Sequence, residues 1–139
     1  MINANTKIVA SYLIAVVLFS YISDVFASSE TEGPFYVDFT QPLIVNYQSE
    51  GNGFRYLKCK VSVRANDRFA ASRVRYHMDA LRHHLLMLFS QQSEKDVATT
   101  EGKTELRLRA LKELQAFLKK EEGNDTIEDL VFTNFLVEH

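Results

Sequence analysis

The sequence predicts an α+β fold: a small antiparallel sheet with one long helix and a second helix packed on it, preceded by an N-terminal membrane-targeting helix. Three observations predict it. An apolar run opens the chain, a strictly alternating segment follows a turn-rich stretch, and the period then lengthens to that of a helix before a last apolar segment closes the chain.

At the N-terminus, Met1 to Lys7 precedes an apolar run from Ile8 to Ile22 that includes Leu13, Val17 and Phe19. Those fifteen residues fit the core of a signal peptide. Val25 and Ala27 place small residues three and one before a cut between Ala27 and Ser28. Extended to Ala27, the same stretch is twenty residues long, and a bilayer core of about 30 Å needs roughly 20 apolar residues as helix. Both readings, anchor and cleaved leader, stay open. Lys7 is the only basic residue before the run, while Asp24, Glu30 and Glu32 follow it. The positive-inside rule therefore keeps the N-terminus in the cytoplasm and exports the remainder. Residues 1–27 form the anchor or signal peptide, 28–35 a polar linker, and 36–139 one domain.

Within that domain, Tyr36 to Tyr47 is aromatic and β-branched, with Pro42 placing its regular part after the proline or at an edge. Ser49 to Gly53 supplies turn residues. Leu57 to Arg64 alternates apolar and polar without a miss, so one face is buried, and the two runs form an antiparallel hairpin. Ala70, Val74, Met78, Leu81, Leu85 and Leu88 then recur at helical spacing, one stripe on a helix of about six turns capped by Asn66 or Asp67. Ser93 and Asp96 make a capping box. Thr99 or Thr100 starts a second helix carrying Leu108, Leu111, Leu114 and Leu118, which Gly123-Asn124-Asp125 stops. Ile127 to Val137 has apolar residues at both parities, as in a strand covered on both faces.

Composition excludes several functions. A length of 139 residues, 46% hydrophobic and 24% charged, is that of one ordinary domain rather than a disordered tail. The net charge of -2 argues against a nucleic-acid binder. Cys59 is the single cysteine, so no internal disulfide or cysteine-rich zinc site is available; it points with Leu57, Val61 and Val63 toward the core. Gly102-Lys103-Thr104 imitates the end of a phosphate-binding loop, but Val97 stands where that loop needs a glycine. Gly51-Asn52-Gly53 is a hairpin turn. His77, His83 and His84 are read as solvated or partner-facing, because a structural zinc site wants four ligands. Arg73, Arg75, Arg82, Arg107 and Arg109 read as a solvated basic tint that could meet an acidic partner. No nucleophile elbow or paired-carboxylate context appears, so neither an enzyme nor a cofactor is expected.

Several segments, in order, resemble the flagellar basal-body FliL family. These are Pro42-Leu43-Ile44-Val45-Asn46, then Tyr56-Leu57 through Val61 and Val63, then Leu81-Arg82 through Phe89-Ser90. Ser93, Asp96 and Glu101-Gly102-Lys103-Thr104-Glu105-Leu106-Arg107 carry the most specific part, and Val131-Phe132-Thr133-Asn134-Phe135 the ending. The resemblance spans residues 36–137 and implies a stomatin-like (SPFH-like) fold. It implies a domain in the periplasm, anchored at the inner membrane, or soluble in the periplasm if cleaved after Ala27. It also implies partnership with the MotA/MotB-type flagellar stator and basal body, self-association into a ring, and a structural role in rotation and motility. An exported scaffold or binding module of the same fold, without a flagellar role, is the alternative. The polar turn of Glu101, Gly102 and Lys103, with Arg107 one turn on, is the candidate partner contact, because exposed N–H groups at a helix start favour acidic groups.

Overall fold

The computed structural model of the chain describes residues 33–47 and 55–138. Ile8, Leu13, Val17, Phe19, Ile22, the Ala27–Ser28 cut and the Ser49–Gly53 turn lie outside the described residues. The elements run β1 (Phe35–Asp38), β2 (Leu43–Asn46), β3 (Tyr56–Ala65), α1 (Arg68–Tyr76), α2 (Met78–Ser90), α3 (Glu94–Ala98), α4 (Thr100–Glu122) and β4 (Ile127–Glu138). The fold is α+β, with a small antiparallel sheet as expected and four helices rather than two.

β3 is the centre of the sheet. Its alternation does what the sequence requires: Leu57, Cys59, Val61 and Val63 are buried, while Lys58 and Lys60 are exposed. β4 pairs along the whole of β3, from Tyr56↔Glu138 to Ala65↔Ile127. The other edge of β3 is left for β1, against Ser62 to Ala65, and β2, against Tyr56 to Cys59. The expected single strand over Tyr36 to Tyr47 is thus broken in two. Between the pairs Asp38↔Ser62 and Leu43↔Cys59, four residues of the edge face two of β3 (residues 39–42 against 60–61). Pro42 closes this excursion, where a residue with no N–H costs the ladder nothing. Arg82 of α2 satisfies the carbonyls the break frees, donating to Gln41 O at 2.8 Å and Pro42 O at 3.0 Å.

β4 corrects a second expectation. It is not covered on both faces. Thr133 is skipped between Lys60↔Asn134 and Val61↔Phe132, and Glu128 between Arg64↔Asp129 and Ala65↔Ile127. Each bulge shifts the parity by one. Ile127, Leu130, Phe132, Phe135 and Val137 therefore all pair with the inward residues of β3. Only Val131 and Leu136, opposite Ser62 and Lys58, stay on the outer face, so most of the apolar run lies on one face.

The helices cover that inner face, α1 on β1 and β3, α2 on β2, and α4 on β4. Asp67 caps α1, its carboxylate accepting from Ala70 N–H at 2.7 Å. The predicted long helix breaks at His77, where φ and ψ are -92° and 11°, yet the ladder runs on through His77 N–H to Arg73 O and Leu81 N–H to His77 O. Its buried stripe is Ala70, Ala71, Val74, Leu81, Leu85 and Phe89, with Met78 and Leu88 only half-buried. On α4 the buried ridge steps by four through Gly102, Leu106, Ala110, Leu114 and Leu118. Leu108 is exposed, since two residues from Leu106 is about 200° around a helix. Gly123 ends α4 in the left-handed region at φ 75°, a conformation that costs other residues about 1–2 kcal/mol.

Candidate functional site

The α3–α4 corner is built by local hydrogen bonds. The Asp96 carboxylate accepts from Ser93 N–H at 2.9 Å and from the Ser93 hydroxyl at 2.6 Å, which realises the predicted capping box. Those two bonds, with Arg109 at 3.3 Å, hold the Asp96 carboxyl below the usual carboxylate range. Thr99 then caps α4. Its hydroxyl accepts from Gly102 N–H at 3.0 Å and donates to Lys95 O at 2.9 Å.

Gly102 is buried because α3 and α4 meet on it. A Cβ there would lie 2.5 Å from Lys95 O, 2.7 Å from Asp96 O and 2.8 Å from Asp96 Cα. All three are backbone or Cα atoms, so no rotamer change relieves the clash. The glycine is a close-approach residue within a helix, as far as possible from a phosphate loop.

Of the four residues of the candidate contact, the structure brings three into internal packing. Lys103 lies with its ammonium 5.1 Å from the centroid of Phe135. Arg107 donates to Asp129 Oδ1 at 2.6 Å and to Leu130 O at 3.2 Å, pinning α4 to β4. Glu101 is exposed. The corner therefore offers one free carboxylate beside a half-exposed lysine, on a frame fixed by Gly102 and Arg107. On the other side of the short helix, Arg55 pairs with Glu94.

Of the basic tint, Arg75 and His83 are exposed as expected, but most of the other arginines and histidines are drawn into the domain. Arg73, Arg82, Arg107 and Arg109 all have partners within the domain. His77 and His84 turn toward α4. His77 Nε2 lies 2.6 Å from Glu122 Oε1, and His84 Nδ1 2.7 Å from Glu113 Oε1. Their rings flank Phe117, with centroids 5.6 Å and 4.8 Å away. Glu122 is a hub, also paired with Arg73, that ties the α1–α2 junction to the end of α4. His83 alone of the three is exposed. Among the described residues no three His, Cys, Asp or Glu side chains meet as a metal site.

Sequence reasoning missed the pairings of Glu122, Arg82 and Asp129, whose partners stand 45, 40 and 22 residues away. Nothing local marks them. Cys59 lies where the alternation puts it, fully buried, and burial pushes its thiol up to about 12 against a partial offset from Arg82. Among the described residues are two open clefts, each of about 230 Å³: one at the strand break, lined by Phe39, Gln41, Asp79 and Arg82 among others, and one between His84 and Glu113.

Fold and corner together define a small two-layer α+β domain, held by a single apolar core and braced at its helix junctions by ion pairs. Residues 36–137 match the family of the flagellar basal body-associated protein FliL, and the chain belongs to that family. It is a family of structural flagellar proteins associated with the basal body. No curated protein matches the chain. No helix among the described residues is long and apolar enough to cross a membrane.

Proposed function

We propose that this protein is a structural companion of the flagellar stator that supports rotation by assembling, without turning over a substrate. The observation that carries the reading is the family match over residues 36–137, which coincides with the compact unit from Gly33 to His139. In this reading residues 1–27 hold the chain at the inner membrane, 28–35 are the linker, and the domain of residues 36–139 works in the periplasm. The MotA/MotB-type stator is its partner, and copies of the domain associate into a ring. Two features support a structural role. The ion-paired helix junctions rigidify the domain, and the sheet face bearing Lys58 and Lys60 is left without a covering layer among the described residues.

The partner contact is assigned to the α3–α4 corner. Glu101 is exposed on it beside the half-buried Lys103, while Gly102 and Arg107 hold the turn in place. Deleting the gene and measuring swimming speed in media of rising viscosity tests the reading. A stator companion is required increasingly as load rises, so the deletion should slow cells most in the thickest medium. Speeds equal to wild type at every load, in swimming and swarming alike, reject it in favour of an exported scaffold.

A further inference from the structure

Among the described residues the two most exposed large apolar side chains are Phe69 at 79% and Tyr76 at 83%, both on α1. At 100° per residue, positions seven apart lie within about 20° of one another. The two rings therefore form one ridge, nearly opposite the side on which Ala70, Ala71 and Val74 are buried. Arg73 flanks the ridge on one side, and Arg68 and Arg75 on the other. Helix α1 has three arginines and no acidic residue within it, in a chain whose net charge is -2; Arg73 is paired with Glu122 and Asp67 caps the helix, so Arg75, exposed beside the ridge, is the arginine best placed to meet an anion. A scattered exposed aromatic residue is ordinary, but an aligned pair between arginines is not. The face is a convex ridge, and neither cleft described above is lined by an α1 residue. A flat, deformable, anionic surface fits such a face better than a grooved protein does.

Chain connectivity says where such a surface is. β1 begins at Phe35, whose register partner is Ala65, two residues before the α1 cap Asp67. The chain thus enters the domain beside the start of α1. Only seven residues separate Phe35 from Ala27, the end of the apolar stretch, and those eight Cα-to-Cα steps span at most about 29 Å when fully extended. In an anchored chain this covalent reach bounds the distance from the end of the apolar stretch to the start of β1, beside which α1 begins.

We propose that the Phe69–Tyr76 face of α1 docks on the anionic headgroup layer of the bilayer that tethers the domain. This rests on the membrane-anchored reading above. The aromatic rings sit at the polar–apolar boundary, where aromatic side chains are favoured. Arg75 beside them donates to lipid phosphates in the forked geometry that suits a guanidinium. Docking would orient the domain, with α1 toward the membrane, and not merely tether it.

The chain contains no tryptophan, so Phe69→Trp makes a site-specific fluorophore in the full-length protein. Leu136→Trp, on β4 and 45% exposed, serves as the control. Each variant is reconstituted into vesicles of phosphatidylcholine alone or with phosphatidylglycerol, and into the same vesicles with brominated acyl chains. The expected result is a blue shift and bromine quenching of the residue-69 probe in phosphatidylglycerol vesicles only, with the residue-136 probe unchanged. Adding Arg75→Glu should abolish both changes. If the chain floats with the vesicles while the residue-69 probe keeps its aqueous emission, the docking face is wrong and the tether stands. If the chain floats with neither vesicle, both ideas fall. A blue shift without bromine quenching means that protein covers the ridge, and it overturns the lipid assignment.

Discussion

At the residue scale the domain depends on contacts whose sign is set by a few atoms. Gly102 is the clearest. Replacing a helical glycine by alanine ordinarily gains about 1 kcal/mol. Here the new methyl would sit 2.5–2.8 Å from backbone atoms of Lys95 and Asp96, and overpacking of that kind costs about 1–3 kcal/mol. Gly102→Ala should therefore destabilise the domain in urea, reversing the usual sign; a variant as stable as wild type would mean that α3 and α4 are not so close. Asp96 makes a second test. Its folded carboxyl is held below the ordinary range by Ser93 and Arg109, so the unfolded state binds its proton more tightly. The stability it adds is present above roughly pH 4 and drains away as pH falls below that. Wild type should melt above Asp96→Asn at neutral pH, with the gap closing in acid. A gap independent of pH would remove the carboxylate from the account. Cys59, fully buried with its thiol pushed up to about 12, should resist alkylation until the chain unfolds.

At the element scale, one residue of α2 and one of β3 test the assignment of faces most simply. Leu81 is fully buried and Lys58 exposed. Leu81→Asp buries an unpaired charge at a cost comparable to the whole stability of a small domain, so it should not fold. Lys58→Asp should stay within about 0.5 kcal/mol of wild type. Equal melting would show the faces to be wrong. β3 could be read from sequence because it pairs over its regular stretch with residues that keep its own period of two. β4 could not, since two bulges move its apolar residues between parities and the sequence pattern records only parity. The break between α1 and α2 was equally hidden, because the apolar stripe runs on across His77 while only the backbone angle changes. The caps were legible, since Asp67, Ser93 and Thr99 act on groups three residues away. The ion pairs were not, because Arg107 with Asp129 and His77 with Glu122 exist only once the elements have packed.

At the scale of the whole molecule, a single core, a one-sided helical layer and a braced helix corner make a rigid body suited to holding a position. We propose that this body works at the flagellar motor, with the corner of Glu101 and Lys103 as its partner contact. Lys103→Glu reverses a charge at that corner and gives up only a cation–π contact with Phe135, about 0.5–1 kcal/mol at an exposed site. The domain should stay folded. The direct measurement is the position of a fluorescent fusion of the full chain in living cells, relative to a labelled basal body. The account predicts foci that coincide with basal bodies, and Lys103→Glu foci that weaken while the melting temperature falls by no more than the lost contact explains. A wild-type fusion spread evenly around the cell envelope, in cells that carry rotating flagella, would contradict it.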